Sequence, residues 1–264
     1  MLHAGLDNGV RKLKLLGGEP LLRTDLPHII SSLRTRDPDL DISIISCGVA
    51  AVERLDACFE AGLTRCNVSV HGWSREAFGL CGGTARMFEL RSRFLDALVG
   101  YGRPLKVNYV YTGTEVEPDL DGLLSWAASR DLVVNVLDDL SDPDLGPEEL
   151  IHAVRRLRGE PIRRSIDEDP HSLPTTHLHW ADGLEVEIKS QHLGVEAPWR
   201  SCRGCFVRDR CREGIAALRL SQRGELRPCM DRHDLGRDLA DAVRRDGRPG
   251  AADQWRGFLE EEAA

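Results

Sequence analysis

The sequence predicts an α/β protein built on a parallel sheet and followed by a small cysteine-rich segment. Three observations predict it. Short runs rich in β-branched residues alternate with amphipathic stretches through the first half of the chain. The alternation repeats every ~25–35 residues, the length of a strand–helix unit with a right-handed crossover. The pattern then stops, and four cysteines gather within the 28 residues from Cys202 to Cys229.

The elements follow in order. The strand runs are Lys12–Leu16, Ile42–Ser46, Cys66–Val70, Leu105–Tyr111 and Leu132–Leu137, each bounded by Gly, Pro or Asp. Between them, Asp25 can cap a helix that carries Leu26, Ile29, Ile30 and Leu33 inward and ends at Asp37-Pro38. A second helix covers about 50–60 and stops at Gly62. A third covers roughly 85–99, and a fourth 120–129. Residues 141–147 (SDPDLGP) form a turn-rich joint before one more helix over 147–157. The stretch 161–180 reads as polar and irregular. His177–Trp180 and Leu184–Lys189 flank Asp182-Gly183 as a hairpin, and Ile215–Ser221 and Glu225–Arg227 form a second around Gly224. The Arg- and Asp-rich tail from Leu235 reads as one or two helices. An open doubly wound sheet and a partial barrel both fit this order.

Composition excludes several classes. The 264 residues hold 35 Lys and Arg against 43 Asp and Glu, a net charge of −8, which argues against a phosphate-backbone binder and hence against a nucleic-acid partner. There is no apolar run long enough to span a membrane, and the first twenty residues have no signal-peptide pattern. The expected location is the cytoplasm, where the 8 cysteines stay reduced.

Two motifs carry chemistry. Cys202, Cys205, Cys211 and Cys229 are spaced C-x2-C-x5-C-x17-C. The close pair turns two thiolates toward one centre, and a hairpin supplies the rest of a four-sulfur shell. Structural zinc and an iron–sulfur cluster both accept such a shell, and spacing does not choose between them. Cys47, Cys58, Cys66 and Cys81 are scattered and read as small buried hydrophobes. The second motif is Gly17-Gly18-Glu19-Pro20, directly after the first strand. Glycines at the C-terminal end of a parallel strand let a ligand approach the backbone, and the glutamate offers a fixed anion to a cationic group. A plain tight loop is the alternative reading. Ser46, Ser69 and Asn108 add polar groups at or near strand ends, and Asp138 and Asp139 end the fifth strand. Lys14 and Lys106 sit within apolar strands, so each must be edge-exposed or paired with an anion. His171, His177 and His179 resemble a ligand set, with His177 and His179 on one strand face, but no acidic or cysteine partner stands at a matching spacing. They read as ordinary hairpin histidines.

The order of these motifs resembles one family. KLKLLGGEPLLRTDLPHII looks like the second strand and helix of radical S-adenosylmethionine (radical SAM) enzymes. The branch it most resembles is that of the molybdenum-cofactor GTP cyclase and its relatives with a C-terminal SPASM or Twitch domain. ISIISCG, AGLTRCNVSVHG and KVNYVYTG follow in the order of that branch's next strands, and CREGIAALRLSQRGELRPCM resembles its auxiliary-cluster hairpin. The resemblance covers roughly 10–140 and 198–232. It implies an N-terminally truncated partial (β/α)6 TIM-like barrel, strands two to six, over 1–140. A connecting helix and hairpin would occupy 141–197, an auxiliary cluster domain 198–234 and a helical tail 235–264. It also implies that the backbone at Gly17, Gly18 and Glu19 holds the methionine amine of S-adenosylmethionine. Ser46 and Ser69 match further cofactor-contacting positions, Lys14 and Lys106 match substrate-facing ones, and Cys202, Cys205, Cys211 and Cys229 would hold an auxiliary [4Fe–4S] cluster rather than zinc.

Two departures matter. The family's C-x3-C-x2-C loop, which holds the cluster that cleaves S-adenosylmethionine, has no counterpart among these residues. The expectation is a coding sequence that starts late, so that this chain alone forms no 5′-deoxyadenosyl radical. The auxiliary segment has four candidate cysteines where the GTP cyclase uses three, and the chain ends in EEEAA instead of a glycine-rich tail. GTP is therefore not carried over as substrate. The expected substrate is a peptide or small molecule, with a flavodoxin or ferredoxin as electron donor. A non-catalytic iron–sulfur relay or binding protein, and a zinc-binding α/β protein, are the competing readings.

Overall fold

The structure is a computed structural model that describes residues 1–139, 142, 145–167, 174–189, 199–206, 208, 211, 217–230 and 232–263. Five parallel strands open it: β1 (Lys12–Leu15), β2 (Asp41–Ser46), β3 (Arg65–Val70), β4 (Leu105–Tyr111) and β5 (Val133–Asp138). Helices α2 (Leu26–Arg36), α3 (Val52–Glu60), α5 (Ala85–Gly100) and α6 (Glu117–Ala128) connect them, each following a strand as the alternation predicts. Three further strands join the same sheet. β6 (Arg163–Asp167), β7 (Thr175–His179) and β8 (Glu185–Lys189) give the order β1-β2-β3-β4-β5-β8-β7-β6. β8 lies parallel to β5, whereas β7 is antiparallel to both β8 and β6. The result is a mostly parallel, open sheet of the TIM-like type, whose edge strands β1 and β6 do not pair with each other among the described residues.

Strand alternation sorts the side chains. One face carries Leu13, Ile42, Ile44, Cys66, Val68, Val107, Tyr109, Val134, Val136, Val186 and Ile188, which pack under the helices in the main core. Burying each such side chain stabilises by roughly 1.5–3 kcal/mol. The other face carries Lys14, Ser43, Asn67, Ser69, Lys106, Asn108, Asn135, Glu187 and His177, which the parallel and antiparallel registers bring into neighbouring rows.

Some elements lay outside the sequence pattern. α1 (Leu2–Asp7), α4 (Arg75–Leu80) and β6 were not foreseen. β6 is exposed along its whole length, so it has no burial pattern to read. α7 (Pro147–Arg158) sits where the sequence placed a helix. Past it, β9 (Arg219–Leu220), β10 (Glu225–Arg227) and β11 (Arg237–Asp238) form a separate three-stranded sheet. The tail is α8 (Leu239–Ala263), broken at Gly247, whose φ of 66° no ordinary helix residue adopts. A second core joins Ala4 of α1 to Leu226, Leu239, Ala251, Trp255 and Phe258, so the first and last helices meet on the small sheet. His171, Ile215 and Ala216 lie outside the described residues.

Candidate functional site

The turn after β1 is built around Glu19. Its carboxylate reaches the end of β2: Ser46 Oγ donates to Oε1 at 2.9 Å, and the Cys47 amide and Sγ each donate to Oε2 at 2.9 Å. Leu21 N adds a bond to Oε1 at 3.2 Å and starts the short helical turn Pro20–Leu22. Ser46 Oγ accepts from Gly48 N at 3.0 Å, so one hydroxyl links the two turns. Burial, reinforced by the bond to Glu19, pushes the Cys47 thiol up to about 11 and keeps it protonated as a donor. Both Glu19 oxygens are engaged. The carboxylate is thus less a free anion for a ligand than a brace that fixes the loop.

What the brace leaves open is backbone. Gly17 has φ of +144°, and added Cβ atoms at Gly17 or Gly18 would meet nothing within 4 Å. A ligand could therefore approach the main chain at the C-terminal end of β1, where parallel α/β sheets bind ligands. Ser69 is half-buried on the polar face of β3, in register with Asn108 of β4.

The two strand lysines differ. Lys106 Nζ forms an ion pair at 2.5 Å with Glu187 of β8, across β5. Lys14 is exposed on β1, yet burial of its ammonium among surrounding strands lowers its pKa to about 8, and Lys189, Arg65, Lys12 and Arg219 lower it further. Lys189 is shifted down for the same leading reason. Together these groups make a cationic corner that favours an anionic ligand. Asn135 donates to Asn108 Oδ1 at 3.1 Å beside it.

His177 and His179 lie on one face of β7, as their spacing implies, and each faces an acidic residue across the hairpin. The β7–β8 register sets His177 opposite Glu187 and His179 opposite Glu185. The acidic partners stand on the facing strand, not at a local spacing. The hairpin about Asp182-Gly183 is what brings them opposite the histidines.

The cysteine segment lies beside α8, with Ser201 N donating to Glu262 Oε2 at 3.0 Å. Cys202, Cys205, Cys211 and Cys229 are all half-buried. Burial raises the Cys202 thiol, and Cys211 and Cys229 are close enough to raise it further, while Arg208 opposes. Arg232 N donates to Cys229 Sγ at 3.4 Å. No three of the four bring their sulfurs within 4.8 Å of one another. Of the other cysteines, Cys58 and Cys66 are buried in the core and Cys81 donates to His71 O at 2.7 Å.

A mostly parallel sheet with a glycine-lined site at a strand's C-terminal end defines a TIM-like cofactor-binding class. The Radical SAM superfamily pattern matches residues 1–127. A probable GTP 3',8-cyclase of Methanocella arvoryzae is 32% identical over 86% of this chain and 68% of its own length. One from Sulfurisphaera tokodaii is 27% identical over 92% of this chain and 73% of its own. Among solved structures, Streptococcus suis SuiB bound to S-adenosylmethionine superposes with a TM-score of 0.63 at 13% identity. That match covers 94% of this chain and 56% of SuiB, so the chain spans little more than half of SuiB's length. The chain belongs to the radical SAM superfamily, in its GTP 3',8-cyclase-like branch. Membership implies S-adenosylmethionine and a [4Fe–4S] cluster as the family's cofactors.

Proposed function

We propose that this chain binds S-adenosylmethionine and an auxiliary cluster in radical SAM chemistry that modifies a peptide or small molecule. One observation carries the reading: the braced Glu19 turn, which holds Gly17 and Gly18 open at the end of β1. The open backbone there would hold the methionine end of S-adenosylmethionine, with Ser46 and Ser69 along its path. Where a cluster cleaves it, S-adenosylmethionine would supply a 5′-deoxyadenosyl radical for hydrogen abstraction. Glu19 keeps the loop in place, and Lys14 and Lys106 face the substrate from the polar side of the sheet. A flavodoxin or ferredoxin is the proposed electron donor.

Cys202, Cys205, Cys211 and Cys229 are proposed to hold an auxiliary [4Fe–4S] cluster. The resemblance of the segment to the auxiliary-cluster hairpin of the family favours a cluster over a single zinc ion. Four ligands would leave no iron open, which suits electron transfer or support. The residues present do not fit the cofactor-cleaving cluster, because no C-x3-C-x2-C occurs among them. No step is assigned to it. SuiB has also been solved bound to its precursor peptide SuiA, with a TM-score of 0.58 to this chain, and the curated relatives are named as acting on GTP. Both substrate classes therefore stay within the proposal.

Anaerobic reconstitution followed by equilibrium binding tests it. About four irons per chain are expected, falling in Cys205→Ser. S-adenosylmethionine should bind, and Glu19→Ala should weaken it by at least about tenfold by releasing the loop. A chain that takes up zinc but no iron, or binds the cofactor equally well without Glu19, would overturn the reading.

A further inference from the structure

The β7–β8 hairpin presents a donor set apart from both the glycine turn and the cysteines. His177 Nδ1 lies 3.0 Å from Glu185 Oε1. His177, Glu185 and Glu187 each bring one ligand atom within 4.8 Å of the other two. Glu187 is only 7% exposed; Lys106 takes its Oε1, and its Oε2 is buried without a hydrogen-bond partner. Asn135, the register neighbour of Glu187 on β5, is 6% exposed and also leaves a buried Oδ1 without a partner. A buried oxygen left unpaired costs on the order of 1–3 kcal/mol, more when charged. An unpaired, buried carboxylate oxygen beside an imidazole is what a bound cation would relieve.

We propose that His177, Glu185 and Glu187 bind a divalent first-row transition ion. One nitrogen and two carboxylates suit a hard-to-borderline ion such as Mn2+, Fe2+ or Zn2+. The surrounding groups support the ligands as outer-shell partners do in metal sites. Lys106 fixes one oxygen of Glu187 and leaves the other to the ion. Arg163 approaches His179 Nε2 at 2.9 Å. Since arginine only donates, the His179 proton is left on Nδ1, 3.8 Å from Glu185 Oε2. The His177 ring stacks on that of His179, with centroids 6.4 Å apart and planes at 12°. Without an ion, the His177 Nδ1 proton satisfies Glu185. With one, the ring proton moves to Nε2 and Nδ1 offers its lone pair to the metal.

Manganese is the probe, because thiolates compete poorly for it and the cysteine segment stays out of the measurement. The whole chain is titrated with Mn2+ and the free ion is followed by electron paramagnetic resonance. The expected result is saturable binding of one ion per chain. Glu187→Gln and Glu185→Gln, both near-isosteric, and His177→Ala should each weaken binding by at least about tenfold. Glu53→Gln on the exposed surface of α3 should leave it unchanged. Absence of saturable binding, or affinity retained in the three ligand variants, would overturn the proposal.

Discussion

Individual side chains here are set by what surrounds them more than by type. Glu19 stands out in the sequence as a fixed anion offered to a cationic group, with a plain tight loop as the alternative. The fold shows a brace, because Ser46 and Cys47 arrive from the next strand with three donors. Lys14 gives a prediction at this scale. Its pKa of about 8 is below the unfolded lysine value, so between about pH 8 and 10.5 the unfolded chain binds more protons. Stability contributed by this group should therefore rise with pH across that window, and the penalty should be present in full below it. Lys14→Met should remove this part of the pH dependence in urea titrations. An anionic ligand should move the lysine titration upward when followed by NMR.

Elements were legible where periodicity and burial agree. The runs CNVSV, KVNYV and VVNVL each set Asn on one face and Val or Tyr on the other, and the registers line Asn67, Asn108 and Asn135 along the polar side. β6 was not legible because every residue in it is exposed. α4 was missed because it buries no residue, and its place is fixed by contacts from elsewhere. Asp119 of α6 accepts from the amides of Trp73 at 2.5 Å and Ser74 at 2.7 Å. Arg91 of α5, 1% exposed, donates to the carbonyls of Gly72 and Trp73 and lies 4.4 Å from the Phe78 ring. Asp119→Ala should cost ~1–3 kcal/mol, and Arg91→Leu about 3, by leaving buried backbone groups unpaired. Urea unfolding measures both. Unchanged midpoints would show that the turn after β3 holds without them.

For the whole molecule, the parallel sheet and the cysteine segment could be read along the chain, but the joining of its two ends could not. Asp7 of α1 pairs with both Arg36 of α2 and Arg248 of α8, and these partners hold its carboxyl down to about 2. Asn8 donates to the carbonyls of Ala4 at 2.9 Å and Ala252 at 3.0 Å. Trp255 packs against Gly5 so closely that a Cβ there would meet its ring at 3.1 Å. No local pattern encodes a contact between residues so distant in sequence. Trp255→Ala should cost ~3–5 kcal/mol. Hydrogen exchange should show α1 and the small sheet losing protection together, before the eight-stranded sheet does. Loss of protection confined to α8 would show that the second core is not one unit. No described helix is long and apolar enough to cross a membrane.

The place of β8 also bears on how the chain folds. Its parallel partner β5 precedes it by an intervening helix and two strands, so that pairing closes a long loop and forms slowly. Its antiparallel partner β7 is one tight turn away, and hairpins close in microseconds. His177 and Glu185 therefore meet in the local hairpin, before the hairpin docks on β5 and brings Glu187 under Lys106.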